Sequence, residues 1–243
     1  AIFLLLTSGK SNSLAASMEI LSFLQQNDLQ GEVIHGRPEY IAQRIMLLAR
    51  VGEARRQLHG IRLGIIGEPS DWLISSTFDA DRVRDLIGIE LVKIPMQELL
   101  ALTTHYSPST THHSPLTDVL RTVVQQNRLQ CFTLRCFDLL TAIHDTGCLA
   151  LAQLNAEGIV AGCEGDVPAM LTMAVTQALT GYTGFQANPA TIDPETGETL
   201  FAHCTIPLNM IERYELDTHF ESGIGVAVRG YMKEGQEEGY KGG

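Results

Sequence analysis

Up to about residue 180 the chain alternates short apolar runs with amphipathic stretches. The opening "AIFLLLT" reads as a buried strand. The next stretch, "SLAASMEILSFLQQND", puts Leu14, Met18, Leu21 and Leu24 on one helical face, at i, i+4, i+7 and i+10. "GEVIHG" reads as a second strand, and "PEYIAQRIMLLARVGEARRQLHG" as a helix with Pro38 in its first turn and Gly60 at its end. Two further strands, "IRLGIIG" and "IELVKIP", flank the loop and helix of "EPSDWLISSTFDADRVRDLIG". Repeated β-α-β units imply a parallel sheet with helices on both faces, an α/β fold of three-layer domains.

Residues 101–117, "ALTTHYSPSTTHHSPLT", interrupt the pattern as a loop or hinge. His105, His112 and His113 invite a metal reading there, but a polar loop without nearby Cys or carboxylates suits solvated histidines. Beyond it the alternation resumes through the strands "LQCFTLRC" and "IVAGCE" to the helix "PAMLTMAVTQALTG". From Gly181 the register changes. "GYTGFQANPATIDPETGETLFAHCTIP" reads as two strands joined by a turn around Pro194 to Gly197, and "GIGVAVRGYM" adds another. The expected division is therefore 1–59 as part of one α/β domain, 60–181 as a second, and 182–243 as the start of a β-rich C-terminal domain.

Composition narrows the function classes. The 243 residues are 44% hydrophobic with mean hydropathy +0.06, enough to bury a sizeable core. A net charge of −11 and a pI near 5.1, without runs of Lys or Arg, argue against partnership with nucleic acid or an anionic membrane. "AIFLLL" is too short for a membrane span and has no basic residues before it. Five cysteines without CxxC spacing suggest reduced thiols and a cytoplasmic setting. The start inside a strand pattern and the polar ending "KEGQEEGYKGG" suggest an excerpt of a longer chain.

Two motifs test for phosphate chemistry. In "LLLTSGKSNSL" the first glycine of a Walker A loop is replaced by Leu4, which leaves loop and N-cap chemistry for Gly9, Ser11, Asn12 and Ser13. "GIIGEP" lacks the third glycine of a dinucleotide fingerprint.

The chemically informative stretch is "AGCEGDVPAM". A buried strand delivers Glu164 and Asp166 to the loop above a helix opening at Pro168, where open α/β sheets bind ligands. The two carboxylates can ligate a hard divalent cation or act as acid and base; alternatively Asp166 caps the helix and Glu164 pairs with an Arg. Arg135, at the end of "FTLR", can meet a ligand oxygen or form a structural ion pair, and Trp72 can stack on a ligand ring or simply pack. Met170 and Met173 have core spacing, and His219 and Glu221 in "THFESG" can approach a site from the β-rich unit, although a lone His and Glu in a polar loop are more often solvated.

"GCEGDVPAMLTMAVTQALTG", with "FTLRCFDLL" before it and "FAHC" and "THFESGIGVAVRG" after it, resembles the L-fucose isomerase and L-arabinose isomerase superfamily, in particular its fucose isomerase-like members. "TSGKSNSLAASMEIL" and "RLGIIGEPSDWLISS" extend the resemblance over most of the chain. It implies an aldose–ketose isomerase, usually Mn²⁺-dependent, that acts on a free monosaccharide and works as a homo-oligomer with sites completed at subunit contacts. It also implies two N-terminal α/β domains and a β-rich C-terminal one.

The resemblance further implies roles for particular residues. Glu164 matches the family's metal-binding Glu. The family's Asp falls on Asn188, whose amide oxygen can coordinate a cation but cannot act as a base. His203 matches a His ligand of the arabinose branch, and the family's late C-terminal His has no counterpart here. Asp166 is the substitute carboxylate. The alternative is a non-catalytic or repurposed relative that binds a sugar or sugar acid.

Overall fold

The computed structural model describes residues 2–104 and 114–231. His105, His112 and His113 lie outside the described residues. The chain divides into two compact units, one up to Ala54 and one from Arg55 onward.

The first unit pairs β1 (Ile2–Thr7) in parallel with β2 (Gln30–His35), in a register running from Ile2 opposite Gln30 to Thr7 opposite His35. The connection is α1 (Ser13–Gln26). Of the four apolar residues expected on its inner face, Leu24 is buried while Met18 is 60% exposed. The long helix α2 (Pro38–Leu58) begins at the expected proline. Its Arg44 grips Glu32 of β2 through two hydrogen bonds and holds that carboxyl below its ordinary range.

The second unit is built on a four-stranded parallel sheet in the order β4-β3-β5-β6. These strands are β3 (Arg62–Ile66), β4 (Glu90–Ile94), β5 (Cys131–Leu134) and β6 (Val160–Gly162). Helices α3 (Ala80–Ile87), α4 (Met96–Ala101), α5 (Pro115–Gln126), α6 (Phe137–Ala142), α7 (Cys148–Ala156) and α8 (Val167–Thr180) connect or follow them. Alternate strand residues enter two separate apolar clusters. Ile66, Ile94, Phe132 and Leu134 pack with α4, α5 and α7, whereas Leu63, Ile65, Cys131 and Val160 pack with α3 and α8. Met170 and Met173 lie in the second cluster, as their spacing predicts. Full burial of one such Leu, Ile or Phe contributes about 1.5–3 kcal/mol, which makes these clusters the main support of the sheet.

After α8 the pairing becomes antiparallel. β7 (Asn188–Ile192) pairs with β8 (Thr199–Ala202), and β9 (Arg213–Asp217) with β10 (Ala227–Tyr231). Ile206 and Val228 from this region pack on Leu149 and Ala152 of α7. The Thr146 hydroxyl, just before α7, also donates to the Val226 carbonyl and accepts from its N–H. The fold is thus mixed α/β, with parallel sheets followed by antiparallel strand pairs. Among the described residues no helix is long and apolar enough to cross a membrane.

Candidate active site

Strand β6 ends at Gly162, and the backbone then turns sharply before α8. Glu164 has φ 66° and Gly165 φ 66°, so two successive residues are left-handed. The conformation is ordinary for glycine and uncommon for glutamate. Gly165 also meets a close backbone, because a Cβ there would sit 2.8 Å from the Glu68 carbonyl oxygen. Two side chains hold the turn from either side. Gln186 accepts from the Cys163 N–H at 2.8 Å and donates to the Cys163 carbonyl at 3.3 Å, and the Thr133 hydroxyl donates to the same carbonyl. Asp166 caps α8 by accepting from the Ala169 N–H at 2.9 Å.

The turn presents the Glu164 side chain, 22% exposed, to a cavity of about 420 Å³ that is also lined by Trp72, Phe137, Asn188 and Glu221. That volume lies in the range of small-molecule sites. Buried His203, just beyond β8, places Nε2 at 3.5 Å from Glu164 Oε1, while its Nδ1 is 2.9 Å from the Thr205 hydroxyl. Burial works against an imidazolium here, but hydrogen bonds to Cys204 and Glu164 outweigh it and raise the His203 pKa to about 10.

Trp72 and Phe137 meet edge to face with centroids 5.4 Å apart. Arg135 stacks over Trp72 at 5.1 Å, and its guanidinium donates to Asp138, to Asp71 and to the Pro69 carbonyl. Of the residues singled out from sequence, Glu164, Asn188, His203 and Trp72 thus converge around or beside one cavity. Arg135 supports its Trp72 wall, and the Asp166 carboxylate is occupied as a cap.

Sequence reasoning misses two participants and underweights a third: Gln186 carries no motif, Phe137 sits in a stretch that reads only as helix, and "THFESG" suits solvent more than a site. In fact His219 is 5% exposed, because the rings of Phe137 and Phe220 and the Ser222 hydroxyl surround it, and Glu221 reaches the cavity. The signal was present in that "THFESG" belongs to the resembling stretches.

Four cysteines also gather beside the turn. Cys136 and Cys163 have sulfurs 2.8 Å apart, Cys148 and Cys204 3.2 Å, and all four are buried. The thiol hydrogen bonds from Cys148 and Cys163, with the nearby His203 and His219, make Cys204 the acidic member, whereas its partner Cys148 is raised by that same bond and by burial. Cys131, on the opposite face of the sheet, is simply pushed up to about 12 by burial.

No family model matches the chain. It is 22% identical over 219 residues to a sulfoquinovose isomerase of Alkalicoccus urumqiensis, covering 79% of this chain and 49% of that protein. A sulfoquinovose isomerase of Priestia aryabhattai is 20% identical over the same shares, and one of Clostridium sp. (strain MSTE9) is 24% identical over 198 residues, 70% of this chain and 44% of that protein. The chain therefore spans about half the length of the curated relatives it matches, and each of those relatives is named as a sugar isomerase.

Proposed function

We propose that the cavity serves a metal-assisted aldose–ketose isomerase acting on a free monosaccharide. Sulfoquinovose is the first candidate, suggested by the relatives' names, with L-fucose-like and L-arabinose-like sugars next. The observation that carries this reading is that Glu164, which lines the cavity, has its Oε1 3.5 Å from Nε2 of the buried His203 behind it. Neighbouring corners of an octahedron around a small divalent cation are separated by about 3 Å, so a slight inward adjustment brings both donors onto one ion. The Thr205 hydroxyl on the far nitrogen fixes the ring as metal-binding histidines require, and the Asn188 amide lines the same cavity. The donor set of one carboxylate, one imidazole and one amide oxygen fits Mn²⁺.

When bound, the cation would polarise the carbonyl and hydroxyl oxygens on the first two sugar carbons. Glu164, the cavity carboxylate beside His203, is the group that holds and moves the proton between those carbons, a role Asn188 cannot take because it does not ionise. Trp72 and Phe137 form an apolar wall for the sugar's carbon face. Arg135 holds that wall by bonding Asp71 and the Pro69 carbonyl, and Asp166 holds the turn that aims Glu164. Within the same reading the four-stranded parallel sheet and its helices are a three-layer α/β domain, the antiparallel pairs after α8 belong to a β-rich one, and the working form is a cytoplasmic homo-oligomer.

The test is incubation of the chain with Mn²⁺ and each aldose in turn, with ketose followed by NMR. Ketose from at least one sugar, lost in Glu164→Gln, is the expected result; no ketose from any would count against the proposal. A second reading rests on Asn188, an uncharged residue where the resembling family has Asp: a sugar- or sugar-acid-binding relative without turnover. It predicts saturable sugar binding by calorimetry and no ketose.

A further inference from the structure

The sulfur cluster has no part in the isomerase reading, yet it has the make-up of a ligand set. The sulfurs of Cys148 and Cys204 and an imidazole nitrogen of His219 all lie within 4.8 Å of one another, on three buried residues. They come from separate segments: Cys148 opens α7, Cys204 follows β8 and His219 follows β9. In a tetrahedral zinc site, sulfurs at 2.3 Å from the ion are about 3.8 Å apart and sulfur and nitrogen about 3.5 Å. The Cys148–Cys204 separation of 3.2 Å reaches that spacing with small side-chain shifts. His219 Nδ1 meets the Ser222 hydroxyl at 3.0 Å and the Ser222 N–H at 3.3 Å; in the tautomer whose Nδ1–H donates to that hydroxyl, Nε2 takes the ligand.

We propose that Cys148, Cys204 and His219 form a second cation site, of the zinc class, that fastens the antiparallel strands to α7. Binding converts two thiols to thiolates and releases their protons to solvent, and the ring binds as neutral imidazole. Two protein sulfurs and one nitrogen fill three of the four positions of a tetrahedral zinc ion. Thiolates select zinc over manganese, so this site and the one at Glu164 take different ions. Cys163, His203 and Cys204 also lie within 4.8 Å of one another, but both ring nitrogens of His203 are engaged, by Thr205 and by Glu164. The Cys148 set is therefore the better site.

Cobalt is the probe, because Co²⁺ bound by thiolates absorbs through sulfur-to-metal charge transfer and Co²⁺ bound by oxygen and nitrogen alone does not. Titration of the metal-free chain with Co²⁺ should give this band, saturating at one equivalent, and Zn²⁺ should abolish it. The band should persist in Glu164→Gln and weaken, with at least tenfold lower affinity, in both Cys148→Ser and His219→Gln. Circular dichroism checks that the variants fold; if Cys148→Ser does not, His219→Gln and the parent chain decide. No charge-transfer band in the parent chain, or a band indifferent to His219→Gln and lost in Cys163→Ser, would overturn the assignment. Because the readout is spectroscopic and independent of Glu164, its failure leaves the isomerase reading standing, and failure of that reading leaves this one.

Discussion

Glu164 Oε1 and His203 Nε2 lie 3.5 Å apart, one on the turn after a parallel strand and the other beyond an antiparallel one. The relationship ties the two parts of the second unit together at its cavity, and it has a measurable electrostatic consequence in the metal-free protein. Against the opposing effect of burial, hydrogen bonds to Cys204 and, second, to Glu164 raise the His203 pKa from 6.5 to about 10. A folded-state value above the unfolded one means that the imidazolium contributes stability that is complete below pH 6.5 and is lost as pH rises through about 10. In Glu164→Gln the neighbouring charge is gone, so the His203 titration, followed by imidazole NMR, should move to lower pH. An unmoved titration would mean that the two groups do not interact in solution.

Gln186 is expected to act on the site through the backbone. Gln186→Leu removes both bonds to Cys163 and leaves the buried N–H of the residue before Glu164 unpaired. The cost should be about 1–3 kcal/mol of stability, read by denaturant unfolding. Mn²⁺ affinity should fall as well, because the turn that aims Glu164 loses its clasp. Parent-like stability would show that Gln186 is incidental.

Gly162 and Gly165 should each resist a side chain, for different reasons. A Cβ on Gly162 would lie 1.9 Å from Met170 Cε, and one on Gly165 would combine φ 66° with the Glu68 carbonyl at 2.8 Å. Gly162→Ala should cost about 1–3 kcal/mol by overpacking, partly relieved in a double variant with Met170→Ala. Gly165→Ala should not be relieved by that change, since its obstacle is backbone. Thermal unfolding of both glycine variants, each with and without Met170→Ala, distinguishes these outcomes.

Legibility in the sequence followed locality. The parallel strands are runs such as "IRLGIIG", long enough and apolar enough to read directly. β9 was not legible, because "RYELD" turns only Tyr214 and Leu216 inward, too brief an alternation to stand out. α4 has six residues, too few for a periodicity. α1 has the helical spacing but leaves Met18 in solvent, because periodicity says which residues share a face and not what covers it. At the site, Glu164 was legible because strand, turn and helix are contiguous around it. Gln186, Glu221 and the cysteine cluster were not, because each depends on segments that only the fold brings together.

The central claim is that Glu164, Asn188 and His203 share one divalent cation. Calorimetric titration of the metal-free chain with Mn²⁺ tests it most directly, alongside Glu164→Gln, His203→Gln and Asn188→Asp. The account predicts affinity at least tenfold weaker in the first two variants and stronger in Asn188→Asp, where an anionic oxygen replaces an amide. Mn²⁺ affinity unchanged across all three would contradict it.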